Sequence, residues 1–197
     1  HATPITPTYD SFAQLAGATF GGSGIPNDPT AISSGAVGQM GNQVTLGLIA
    51  TQRYSNPALT NDGAGTYTAM AGANTGNPGP GGAPLGALWN LGFYADVTPG
   101  TPLDALTLLL RYDFDPAADT DRADHGEINI TAGFAAATMS TAYPPSPIQG
   151  SENMLFAFLG VAIPGILTPP AFAAFDADAA GEYTFELEAI YNPAGTA

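Results

Sequence analysis

The chain contains no cysteine and no lysine. Without cysteine there are no disulfides, no thiolate nucleophile and no cysteine-ligated zinc. Positive charge is scarce: Arg53, Arg111 and Arg122 stand against 17 acidic residues, for a net charge of -14. Such a chain repels nucleic acid and anionic lipid, and it suits solubility in salt or the binding of cations. Charged residues make up only 10% of the sequence, well below the usual quarter. Histidine occurs twice, at His1 and His125, and tryptophan once, at Trp89. A long uncharged apolar run, residues 154 to 175, is interrupted by Pro164, Pro169 and Pro170 and reads as a buried strand and an apolar loop rather than a membrane span. A surface covered by another subunit is the alternative for that run. The opening His-Ala-Thr-Pro follows no basic-then-apolar leader and reads as a processed or trimmed N-terminus.

What is present points to β structure. The 197 residues suffice for one domain with a substantial core, and 45% are hydrophobic. The 25 glycines and 18 prolines follow no period, which excludes collagen and implies many turns and long loops. Alternation of apolar and polar residues predicts strands over 44–53, 66–70, 88–97, 106–114, 127–130 and 181–191. Residues 154–161 are expected to add a buried strand. In the last segment Tyr183, Phe185, Leu187, Ala189 and Tyr191 are expected to face inward, with Glu182, Thr184, Glu186 and Glu188 outward. Asp10 as cap and Gly17 as terminator predict one short helix, SFAQLA. Residues 18–43 read as a glycine-rich loop with a short strand near Thr19 and Phe20. Within it, Gly21-Gly22-Ser23-Gly24 lacks the phosphate-loop pattern and any lysine to assist. The fold expected is an all-β antiparallel β-sandwich or jelly roll with long Gly/Pro-rich loops. Residues 1–9 would form an extended arm and 10–197 the single domain.

The segment RYDFDPAADTDRADHGE, residues 111–127, concentrates the acidic residues. Asp113, Asp115, Asp119, Asp121, Asp124 and Glu127 lie within it, beside His125. Calcium takes six to eight oxygen ligands, so closely spaced carboxylates on a loop are a candidate calcium site, although the spacing is not that of an EF-hand. The plain alternative is a solvated loop whose Asp residues fix turns. His1, with its amine, and His125 form a candidate copper site of the histidine-brace type found in lytic polysaccharide monooxygenases. Trp89, Phe93 and Tyr94, with Tyr54 and Tyr67, are candidates for a sugar-stacking platform, against the commoner role of core aromatics. No GxSxG motif occurs, and no carboxylate pair is singled out for glycosidase work.

Five phrases, ATFGGSGIPND, LGLIATQRYSNPALTNDGAGTY, ALWNLGFYADV, LRYDFDPAADTD and FDADAAGEYTFELEAIY, together resemble the extracellular domains of secreted bacterial proteins that carry PEP-CTERM sorting signals. The likeness runs from about residue 17 to 191. It implies export, sorting by an exosortase-type system, and a place in an exopolysaccharide matrix or on the cell surface. It supplies no catalytic residues. The sorting signal itself, a Val-Pro-Glu-Pro-like motif with an apolar span and a basic tail, does not occur in the sequence. The expectation is a non-enzymatic, secreted matrix protein, a self-assembling filament or surface-layer subunit with calcium at the acidic loop. Its partners would be copies of itself and exopolysaccharide, with no nucleic acid and no membrane in the mature form. The alternatives are a polysaccharide-binding module and a copper protein using His1 and His125.

Overall fold

In a computed structural model of the chain, the structure describes residues 6–27, 29–37, 42–54, 56–74, 86–97, 106–138, 147–172 and 174–192. The strands in order are β1 (Ser11–Ala13), β2 (Thr30–Val37), β3 (Asn42–Gln52), β4 (Thr60–Asn61), β5 (Tyr67–Thr68), β6 (Ala73–Asn74), β7 (Gly86–Ala87), β8 (Trp89–Val97), β9 (Leu106–Tyr112), β10 (Gly126–Asn129), β11 (Ile148–Glu152), β12 (Leu167–Thr168) and β13 (Phe185–Tyr191). One α-helix, α1 (Ile130–Thr138), follows β10 directly. A five-stranded sheet has the order β1-β2-β3-β8-β11, and a four-stranded sheet has the order β12-β10-β9-β13. Every pairing in them is antiparallel. The fold is therefore all-β, as the alternation in the sequence implies. Among the described residues no helix is long and apolar enough to cross a membrane.

The two sheets meet through one core. Val44, Trp89, Leu91, Phe93, Ala95 and Ile148 come from the five-stranded sheet, and Leu106, Leu108, Leu110, Tyr112 and Leu167 from the other. Period-two alternation puts these residues on the facing surfaces. On β13, Phe185, Leu187 and Ala189 pack against this core, as does Tyr183 just before the strand. The expected inward face of the last strand is the observed one at those positions. Trp89 packs edge-on against Phe175 and Phe185.

The outer face of the five-stranded sheet is also buried in part. Residues 15–25 cross it and press Phe20 onto Ile49 and Tyr94. Phe20 is fully buried at φ 47, a left-handed conformation that an aromatic residue rarely adopts. The Gln149 side chain holds it there, accepting the Thr19 and Phe20 amides at 2.8 Å each. Gly92 makes the contact available: a Cβ there would stand 2.8 Å from Ile49 and 3.1 Å from Phe20.

Several expectations fail, each for a reason in the tertiary structure. SFAQLA is not helical. Ser11–Ala13 pairs with Thr30–Ile32 as β1, and Asp10 donates its amide to Ile32 and accepts from the Ser34 amide. So short a helix would leave nearly all its terminal groups unbonded, whereas the sheet edge bonds them. The helix lies instead at Ile130–Thr138, started by Asn129, whose Oδ1 accepts the Ala132 amide. Residues 154–161 form a turn and a single 3-10 turn over Ala157–Gly160, not a strand. There Asn153 draws the chain into a turn, accepting the Leu155 amide with Oδ1 and the Phe156 amide with its carbonyl. Residues 30–37, read as loop, are strand β2, and residues 148–152 form strand β11. Thr19 and Phe20 lie in a turn rather than a strand. Of the arm expected over residues 1–9, residues 6–9 carry no helix or strand, and Tyr9 stacks on Phe12 and Phe12 on Tyr67, with ring centroids 5.9 and 5.8 Å apart.

Candidate functional site

The acidic loop begins where β9 ends. Asp113 is buried, and both of its oxygens are engaged: Oδ1 accepts the Asp115 amide at 2.9 Å and Oδ2 accepts the Thr120 hydroxyl at 2.6 Å. Asp115 repeats the device, taking the Ala117 amide at 2.9 Å, and Asp121 takes the Ala123 amide at 3.0 Å. These are side-chain turns, the arrangement Asp favours in tight loops. Asp119 is exposed at φ 56, and Asp124 is exposed. Glu127 lies on β10 and pairs with Arg111 across the strand. The six acids thus do not converge. Among the described residues no group of three or more His, Asp or Glu side chains is placed to hold a metal ion.

His125 is buried beside Asp113 and Thr120. Its Nε2 lies 2.8 Å from the Thr120 hydroxyl and 3.7 Å from Asp113 Oδ2. The single hydroxyl proton goes to Asp113, so Thr120 accepts from His125 and the ring carries its proton on Nε2. Nδ1 is buried without a hydrogen-bond partner. This order is the reverse of a catalytic triad, where the hydroxyl donates to Nε2 and a carboxylate holds Nδ1. The three side chains fasten the loop onto the end of β9; they do not activate the hydroxyl. The copper pairing of His1 with His125 has one half outside the described residues, and of His125 only Nε2 is engaged, by Thr120.

The outer face of the four-stranded sheet carries an ionic ladder. Arg111 sits between Glu127 on β10 and Glu186 and Glu188 on β13. Arg122 reaches the same two glutamates at 2.6 and 2.7 Å. Its hydrogen bond to Glu186 pushes its pKa above the ordinary arginine value. Two of the three basic residues of the chain are thereby placed on one surface.

The aromatic platform is not formed. Trp89 and Phe93 face the core between the sheets, and Tyr94, one residue along β8, faces Phe20 on the opposite side. All three are buried. Successive strand residues point to opposite faces, so Phe93 and Tyr94 cannot share a surface. Tyr67 donates its hydroxyl to the Pro29 carbonyl. Tyr54 is exposed, stacked under Arg53 at 5.0 Å.

Two polar groups outside the acidic loop matter more than the sequence suggested. Asn153 is fully buried at the mouth of the sandwich. Its Oδ1 accepts the Ala87 amide, and its Nδ2 donates to the Ala87 and Trp89 carbonyls and to Asn90 Oδ1, all between 2.7 and 3.1 Å. One amide side chain thus joins β7, β8 and the turn after β11. Glu152, the last residue of β11, pairs with Leu91 and so projects toward the space between the sheets. Burial pushes its carboxyl up to about 7. Its charge acts on Tyr112, whose hydroxyl donates to the Leu159 carbonyl at 2.6 Å; burial first, and then Glu152, raise the phenol above its ordinary value. A lone Asn or Glu in a loop has no sequence signature; their partners lie in distant strands.

No protein-family model, no curated protein and no solved structure matches the chain.

Proposed function

We propose that the protein is a non-enzymatic structural subunit of an extracellular matrix or cell surface and associates with copies of itself. The observation that carries this reading is the use made of its ionisable side chains. Asp113, His125, Arg111, Glu127, Glu186 and Arg122 each tie one backbone segment to another, across β9, β10, β13 and the 113–125 loop. Carboxylates that fix turns and arginines that bridge strands serve rigidity. The likeness of the five sequence phrases to secreted PEP-CTERM proteins supports export and a matrix location. Calcium is not part of this reading, because Asp113, Asp115 and Asp121 each give an oxygen to their own loop.

Light scattering and negative-stain microscopy of the purified chain test the reading. Assemblies larger than the 19.9 kDa monomer are expected as concentration rises, and EDTA is expected to leave them intact. A monomer at every concentration up to millimolar would sink it.

A further inference from the structure

Four strands end the two sheets, and three of them have five residues or fewer. β1 has three residues and β12 has two. β11 has five, and residues 19–21 lie across its outer face, with the Thr19 and Phe20 amides on Gln149 and Gly21 against Gly150. Native sheets protect their edges in these ways against the addition of a foreign strand. β13 is the exception. It runs for seven residues, one side bonds to β9, and among the described residues the other side receives no backbone hydrogen bond. Its outward side chains include Glu186, Glu188 and Ile190, the last 40% exposed. Edge glutamates ordinarily deter pairing, but here Arg111 and Arg122 lie against both of them and offset part of their charge, Arg111 being shared with Glu127.

We propose that β13 is the edge through which the protein associates: it pairs antiparallel with β13 of a second copy about a twofold axis. Two four-stranded sheets then become one of eight strands, each copy contributing four. This names the contact for the self-association proposed above and rests on it. The occupant is a second copy because of charge. A chain of net charge -14 repels its own kind least where its arginines are gathered, and two of its three lie on this face. A twofold contact also needs a self-complementary strand. Pairs must keep Leu187, Ala189 and Tyr191 on the core face, which restricts the register to even offsets. A register centred on Glu188 sets that carboxylate against itself, and one centred on Leu187 sets Glu186 against Glu188. The register centred on Ala189 avoids both. It places Leu187 opposite Tyr191 and Glu188 opposite Ile190 of the other copy.

Sedimentation velocity over a concentration series tests this with wild type, Ile190→Glu and Ile190→Lys, each checked for folding by circular dichroism. The position is exposed, so both variants should fold. Ile190→Glu sets a carboxylate against the second copy's Glu188 at two symmetric places and should weaken association by about tenfold or more. Ile190→Lys sets an ammonium there and should associate at least as tightly as wild type. Equal association of both variants with wild type overturns the β13 contact and leaves self-association standing. Wild type that remains monomeric overturns both.

Discussion

The two sheets solve the same problem in opposite ways. Each must do something with the face that turns away from the shared core. The five-stranded sheet buries the middle of that face too: Phe20, Ile49 and Tyr94 form a second apolar cluster under residues 15–25. The four-stranded sheet leaves part of it wet and lays Arg111, Arg122, Glu186 and Glu188 across its strands. The difference shows where stability resides. Apolar burial contributes in proportion to area removed from water, whereas partly exposed ion pairs such as those of Arg122 add little each. The ladder therefore serves charge placement in a chain with almost no positive charge, and the covered sheet serves stability.

The sharpest way to break this comparison is to uncover the five-stranded sheet. Phe20→Ala removes a fully buried ring and should cost about 3–5 kcal/mol in urea unfolding. A loss below about 1 kcal/mol would mean the second cluster is ornamental. Asn153→Ala strips the Ala87 amide and the Ala87 and Trp89 carbonyls of a partner, and about 2–4 kcal/mol should be lost. Glu152 gives the same sheet a pH dependence. A carboxyl with a raised folded-state pKa favours folding only while it is protonated. Its contribution is full below the ordinary 4.5 and is lost as pH rises through about 7. Between about pH 5 and pH 8 wild type should lose up to about 3 kcal/mol relative to Glu152→Gln, which keeps the shape and lacks the titration. Parallel stability curves for the two proteins would refute this. On the wet sheet, Arg122→Ala should cost under about 1 kcal/mol and shrink further in high salt, since the side chain is half exposed.

The sheets also differ in how much of them the sequence disclosed. β13 and β9 read clearly, because a dry face and a largely polar one give an alternation along FELEAIY and LTLLLRY that only Ile190 and Leu109 interrupt. β2, TAISSGAV, mixes small and polar residues on both faces and reads as loop; only its pairing with β1 and β3 makes it a strand. β11, IQGSE, is disguised in the same way by Gly150 and its polar neighbours. The acidic segment was legible as a loop, since turn-forming Asp residues crowd it. What its charges contact was not: Arg122 meets Glu186 at a separation of 64 residues, and Arg111 meets Glu188 at 77. Asn153 reaches Ala87 across 66 residues. Periodicity reports which face is dry, and it carries no information about partners at such distances.

The Gln149 bridge has a consequence for the order of events in folding. It ties residues 19 and 20 to a partner 130 and 129 positions later. Until β11 has joined β8, the Thr19 and Phe20 amides lack this acceptor and nothing holds Phe20 in its strained conformation. Residues 19 and 20 are therefore among the last to settle. During that wait the outer surface of β3 and β8 stands open to water. Contacts this remote in sequence close slowly. The protein should consequently reach its native state in a late step reported by burial of Tyr94 and Phe20, after the shared core around Trp89 has already formed.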